Sequence, residues 1–153
     1  MTETDFATAG DTASAVDSGA PTLRILLVED DFASRLLLQI ALAAYGECHI
    51  AVNGREAVQA FRHGLKSERP YHLICMDIMM PIMDGREAVR LIRETEMAHG
   101  ILSSAGAKIF MTTTIDELDE VSRCFAELCD AYLLKPIDLS QLLGKMRSFR
   151  LIR

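Results

Sequence analysis

Four places in the chain set a polar or charged side chain directly behind an apolar run. They are Glu29, Asp30 and Asp31 after residues 24–28, Asp77 after 71–76, the Thr112–Thr114 run after 108–111, and Lys135 after 131–134. If these runs are neighbouring strands, their carboxylates converge on one edge of a sheet. Two unit charges ~4 Å apart repel by about 1 kcal/mol in water and about 4 kcal/mol at an intermediate dielectric. Something positive must compensate. A hard divalent cation that takes oxygen ligands suits the acids, and Mg²⁺ is the expected one. Lys135 adds a fixed ammonium and a threonine adds a hydroxyl donor. Carboxylate nucleophile, cation, ammonium and hydroxyl are the parts that phosphoryl transfer needs.

The elements that would position these groups follow from periodicity. Arg24–Val28 is almost wholly apolar and predicts a buried strand, as do Tyr71–Met76, Lys108–Thr112 and Ala131–Leu134; Cys48–Val52 is a shorter one. Helical patterns alternate with them. The first spans Phe32–Ala44, with Leu36, Leu37, Ile40, Ala41 and Ala44 on one face. Asn53 with Glu56 and Asp84 with Glu87 resemble capping boxes and open the second and third helices. Ala57, Val58, Phe61 and Leu65 of the second helix and Ala88, Leu91 and Ile92 of the third point inward. Leu118, Val121, Phe125 and Leu128 mark the fourth helix. Asp138 caps the fifth, which turns Leu139, Leu142, Leu143 and Met146 inward. Strands alternating with helices, joined by right-handed crossovers, give a parallel sheet covered on both faces. Such sheets carry ligand chemistry at the carboxyl ends of their strands.

Bulk properties exclude several functions. The 153 residues carry a formal charge of −6, but residues 1–22 hold Glu3, Asp5, Asp11 and Asp17 and no Lys or Arg. The 22 acids less these four leave 18 against 16 bases, a near-neutral body unsuited to nonspecific nucleic-acid binding. Residues 1–22 are expected to be a disordered acidic tail, with the folded domain spanning 23–153. No apolar run reaches the roughly 20 residues of a membrane span, and no basic segment followed by an apolar stretch suggests a secretory signal. Cys48, Cys75, Cys124 and Cys129 form no CxxC pair and read as reduced thiols of a cytoplasmic protein. Met76, Met79, Met80 and Met83 lack the His and Cys neighbours of a copper site. His49, His63, His72 and His99 share no face, which argues against a phosphohistidine.

With these residues placed, the chain resembles the receiver domains of two-component response regulators, the CheY-like family. The likeness rests on residues 25–31 (ILLVEDD), 76–85 (MDIMMPIMDG), 110–114 (FMTTT) and 130–136 (DAYLLKP), in the family's order, and covers about residues 23–150. It implies a flavodoxin-like (βα)5 three-layer α/β sandwich with a parallel five-stranded sheet of order 2-1-3-4-5. By the same resemblance Asp77 is the phosphoacceptor, Asp30 a direct Mg²⁺ ligand, and Glu29 a second acid acting through water. Arg35, at the family's spacing, fixes that alignment and leaves Asp31 as a helix cap. Met79 offers a backbone carbonyl to the metal, Thr113 is the switch hydroxyl, Lys135 pairs with the phosphoryl oxygens, and Tyr132 is the ring that turns inward. A cis Lys135–Pro136 bond is implied too.

Three features depart from the family pattern. Leu128 stands before Cys129-Asp130 where a glycine usually ends the fourth helix, so that turn is expected to be built differently. Glu29 replaces the commoner Asp. Met79 and Ile115, two residues past the acceptor and past Thr113, are apolar and cannot orient an attacking water, which predicts slow self-dephosphorylation. The resemblance implies phosphotransfer from a histidine kinase or histidine phosphotransfer protein. The expected output is a protein-binding face made by the fourth helix, fifth strand and fifth helix, with no direct DNA binding, because the chain ends just after the fifth helix. Monomer and phosphorylation-dependent dimer both stay open. An aspartate-based phosphohydrolase would need a second Asp where Met79 stands, so an enzyme is not expected. The alternative is a receiver-fold binding module independent of phosphorylation.

Overall fold

The computed structural model describes residues 22–102, 104–119 and 128–153. Strands β1 (Leu23–Val28), β2 (Gly46–Ala51), β3 (Leu73–Asp77), β4 (Lys108–Thr113) and β5 (Ala131–Leu134) form one parallel sheet of order β2-β1-β3-β4-β5. Helices α1 (Phe32–Leu42), α2 (Gly54–Lys66) and α3 (Gly85–Ala98), then α4 described over residues 115–119, lie in the crossovers, and α5 (Leu139–Ser148) follows β5. This is the flavodoxin-like α/β sandwich that the resemblance implies. The predicted tail other than Thr22, together with Val121, Cys124 and Phe125, lies outside the described residues.

The alternation of the central strands divides the core. Leu26, Val28, Ile74, Met76, Ile109 and Met111 face α2 and α3, where Ala57, Val58, Phe61, Ala88, Val89 and Ile92 meet them. Ile25, Leu27, Leu73, Cys75, Phe110 and Leu133 face α1 and α5 through Leu38, Leu42, Leu142 and Met146. Burying each large aliphatic or aromatic side chain is worth roughly 1.5–3 kcal/mol, so the two layers fix the frame that holds the polar sheet edge.

The caps stand where the residue types put them. Asp31, Asn53, Asp84 and Asp138 accept from backbone N–H groups at the starts of α1, α2, α3 and α5, and Glu56 reaches back to the N–H of Val52. The face of α1 differs from expectation. Leu38 and Leu42 are buried, whereas Leu36, Leu37 and Ile40 lie 41%, 48% and 68% exposed and Ala44 is exposed. Six of eleven residues in this helix are large and apolar, so the hydrophobic period has little contrast to read. Strand β2 begins two residues earlier than its apolar residues suggest, because Gly46 pairs with Leu23 at the start of β1.

The turn entering β5 is made by side chains. Among the described residues, the left-handed positions are Glu68, Ile82, Gly100 and Arg150, none of them at 128–130. Instead Arg93 donates to the carbonyls of Leu128 and Ala107, both at 2.8 Å, and pairs with Asp130 at 3.0 Å and Glu96 at 2.6 Å. Asp130 in turn accepts from Ile109 N–H, and Glu96 from Ala107 N–H. These partly buried charges fasten β4 and β5 to α3, which answers the missing glycine.

Gly85 opens α3 against the strand that ends in Asp77. A Cβ there would stand 2.1 Å from the Asp77 carbonyl oxygen and 3.0 Å from Ile78 Cα, backbone atoms that cannot swing aside as a flexible side chain would. Gly85→Ala is expected to lower the stability of the fold by about 1–3 kcal/mol, the usual cost of overpacking, as a fall in the urea midpoint. An unchanged midpoint would show that the α3–β3 junction yields more easily than its contacts imply.

Candidate functional site

The carboxyl ends of β1, β3, β4 and β5 meet at one edge, so the sheet order brings together residues more than a hundred positions apart. Glu29 and Asp30 follow β1, Asp77 ends β3, Thr113 ends β4, and Lys135 follows β5. Glu29 and Asp77 are buried while Asp30 is exposed. One carboxylate oxygen from each lies within 4.8 Å of the others. The Lys135 ammonium closes the cluster, donating to Asp77 Oδ1 at 2.9 Å and standing 3.0 Å from Glu29 Oε2. Its backbone N–H is bonded to the Thr113 carbonyl at 2.7 Å, and the Lys135–Pro136 peptide is cis. Arg35 donates to the Glu29 carbonyl at 3.1 Å, which ties α1 to the same corner.

Charge crowding shows in the titration of these groups. Burial pushes the Asp77 carboxyl up to about 6, against the opposing hydrogen bond from Lys135 and with help from the Glu29 and Asp30 charges. Burial alone would lower the Lys135 ammonium, but its bonds to Asp77 and Glu29 prevail and raise it. One ammonium thus serves three carboxylates, and a net negative charge remains. Glu29 Oε2 is buried and, among the described residues, has no hydrogen bond of good geometry, standing instead as an ion pair 3.0 Å from the Lys135 ammonium. An oxygen-rich, under-compensated pocket with such an oxygen fits a hard divalent cation. Glu29, Asp30 and Asp77 could hold one. Asp31 turns away to cap α1, bonding Ser34 N and Oγ, and those bonds hold its carboxyl below the usual range.

The remaining expected residues surround this cluster. Met79 lies two residues past Asp77 with its side chain exposed, and Ile115, two past Thr113, is exposed as well. The three threonines differ. Thr112 is level with Asp77 in register, buried, and its hydroxyl has no hydrogen-bond partner among the described residues. Thr114 is exposed. Thr113 is fully buried, and its hydroxyl is shared between the Thr114 carbonyl and Glu117 Oε2, each at 3.2 Å. Tyr132 sits two residue pairs back from Thr113 on the neighbouring strand, on the α3 face of the sheet, with its hydroxyl buried near Cys129. Burial, then Cys129, raises its phenol above the ordinary value. Sequence reasoning did not find Glu117, because its reach to Thr113 depends on the turn at Thr114. Of the thiols, Cys75 is buried, which pushes it up to about 12, and Cys48 and Cys129 are half-buried.

A five-stranded parallel sheet of order β2-β1-β3-β4-β5, with an acidic, lysine-closed edge beside a buried threonine, is the flavodoxin-like fold, and similarity to known proteins gives its family. The response regulator receiver domain family matches residues 25–147, and the chain belongs to that family. The chemotaxis protein CheY of Halobacterium salinarum is 34% identical over 114 residues, covering 74% of this chain and 84% of that protein. Hybrid signal transduction histidine kinase G of Dictyostelium discoideum is 36% identical over 123 residues, 78% of this chain but 3% of the kinase. Among solved structures, the receiver domain of Saccharomyces cerevisiae Ssk1, crystallised with the histidine phosphotransfer protein Ypd1, superimposes with a TM-score of 0.72 at 29% identity, covering 84% of this chain and 89% of that one. The chain spans only a small part of several curated relatives that it matches. Among the described residues no helix is long and apolar enough to cross a membrane.

The raised Asp77 carboxyl has a consequence for stability. An unfolded aspartate loses its proton near pH ~3.9, whereas the folded one keeps it to about 6, so between these values the folded protein binds more protons. Stability conferred by protonated Asp77 is complete below the lower value and is lost as pH rises through the upper one. Metal-free Asp77→Asn is therefore expected to exceed the native protein by on the order of 1–2 kcal/mol at pH 7.5, the gap closing towards pH 4. Urea unfolding in EDTA measures this; equal stabilities at pH 7.5 would contradict the crowding.

Proposed function

We propose that this receiver domain accepts a phosphoryl group on Asp77 in a Mg²⁺-dependent reaction and uses it to switch a protein-binding face. The observation that carries the proposal is the Lys135 ammonium held 2.9 Å from Asp77 and 3.0 Å from Glu29 at the mouth of a three-carboxylate cluster. Asp77 Oδ attacks the phosphorus of a phosphohistidine. A phosphorus–oxygen bond forms, the phosphorus–nitrogen bond breaks, and the imidazole leaves with the electron pair and takes up a proton. Lys135 then pairs with the phosphoryl oxygens, and Thr113 donates its hydroxyl to them. A metal held by Glu29, Asp30, Asp77 and the Met79 backbone carbonyl would neutralise charge that develops on those oxygens.

The donor is a histidine kinase or histidine phosphotransfer protein, as the Ssk1 receiver's partnership with Ypd1 suggests by analogy. Phe32, Leu36 and Ile40, 67%, 41% and 68% exposed, recur every four residues on α1, starting at the rim of the acidic cluster. They form an apolar stripe suited to seating that donor. On the output side, Leu118, Tyr132, Leu134, Gln141 and Lys145 line a cleft of about 470 Å³ between α4, β5 and α5. When Thr113 moves towards the phosphoryl group, Tyr132 follows on the same face and reshapes this cleft for a downstream protein, by shifting a two-state equilibrium. The free thiols of Cys48 and Cys75 accord with a cytoplasmic setting.

Incubation with acetyl phosphate and Mg²⁺ is expected to add one phosphoryl group, seen in the intact mass and lost in Asp77→Asn. The adduct should persist, and Met79→Asn with Ile115→Glu should shorten its life roughly tenfold or more by orienting water. Ile40→Asp should slow transfer from a phosphohistidine donor while leaving acetyl phosphate unaffected. No adduct on the native protein would favour the alternative, a binding module that does not use phosphate.

A further inference from the structure

Glu117 on the first turn of α4 belongs to none of the site roles above, yet its carboxylate reaches a fully buried hydroxyl. Thr113 has one hydroxyl proton. That proton is committed to Glu117 Oε2 and the Thr114 carbonyl, each at 3.2 Å, and the same carbonyl accepts Glu117 N–H at 3.2 Å. Thr113, Thr114 and Glu117 therefore form a closed local network that joins the end of β4 to the start of α4. A phosphoryl oxygen on Asp77 would need the proton that Glu117 now holds. The two acceptors compete for one donor, and both carry negative charge.

From this competition we infer that Glu117 is a positioning residue that latches the Thr113 hydroxyl in the unphosphorylated state, and that its release frees the first turn of α4. The inference rests on Asp77 being the phosphoacceptor. Hydrogen bonds to charged acceptors are stronger than neutral ones, so the latch biases the resting state. It also gives a hydrogen-bonded route from the end of β4 to the output cleft, because Leu118, next in sequence, lines that cleft. An effector state reached without phosphate should therefore be rarer in the native protein than in a variant lacking the carboxylate.

The test is the affinity of the Mg²⁺-loaded protein for beryllofluoride, a phosphoryl mimic, measured by calorimetry, together with the NMR methyl shift of Thr113 before ligand is added. Glu117→Ala is expected to bind about three- to tenfold tighter and to move the Thr113 methyl towards its ligand-bound position. Glu117→Gln, which keeps an acceptor oxygen, should lie between Glu117→Ala and the native protein. In a Thr113→Ala background the gain should vanish, a dependence that a merely structural role for Glu117 would not produce. If Glu117→Ala binds equally or more weakly while Asp77→Asn abolishes binding, the latch is wrong and the acceptor reading stands. If the native protein binds no beryllofluoride at all, the acceptor reading falls and the latch falls with it.

Discussion

The structure turns on a single ammonium set among too many carboxylates. Lys135 stands within 3.0 Å of both Asp77 and Glu29, and Asp30 completes a cluster whose oxygens lie within 4.8 Å of one another. The protein tolerates this crowding because two apolar layers, each built from strands and helices distant in sequence, fix the edge in place. It also leaves the cluster incompletely neutralised. Burial first, and then the neighbouring carboxylates, raise Asp77 to about 6, and the unneutralised oxygens suit a divalent cation. A site balanced by Lys135 alone would have no such oxygens to spare.

In the proposed function, the sheet separates accepting from signalling. Asp77 alternates onto the face of β3 that carries Leu73 and Cys75, turned to α1 and α5. Thr113 and Tyr132 alternate onto the opposite face, with Met111, towards α3 and α4. In the proposed mechanism, charge added at the edge can reach the output cleft only across the strand ends, through a hydroxyl that one carboxylate already holds. Arg93, Glu96 and Asp130 anchor the far ends of β4 and β5 to α3. Movement near the phosphorylation edge therefore works against a fixed base.

Much of this was legible in the sequence for a physical reason. Strands β1, β3 and β4 are buried on both faces, so they read as unbroken apolar runs, and the polar residues ending them marked the site before any fold was known. Capping acids were legible because their chemistry is local to three or four residues. The face of α1 was not, since Phe32, Leu36, Leu37, Leu38, Ile40 and Leu42 surround the helix and burial is decided by what packs against it. Arg93 carries no signal of its role in the sequence, and only tertiary structure puts Asp130 and two carbonyls within its reach. Glu117 was invisible for the same reason: nothing in a Thr and a Glu four residues apart across a strand end says that they touch.

The account stands most directly on the affinity of the acidic cluster for Mg²⁺. Calorimetric titration at neutral pH and moderate salt should show one saturable Mg²⁺ site per chain, lost in Asp30→Asn and strengthened relative to the native protein in Lys135→Met, which removes the competing ammonium. Absence of binding by the native protein, or affinity indifferent to both substitutions, would contradict the claim that these carboxylates share one cation.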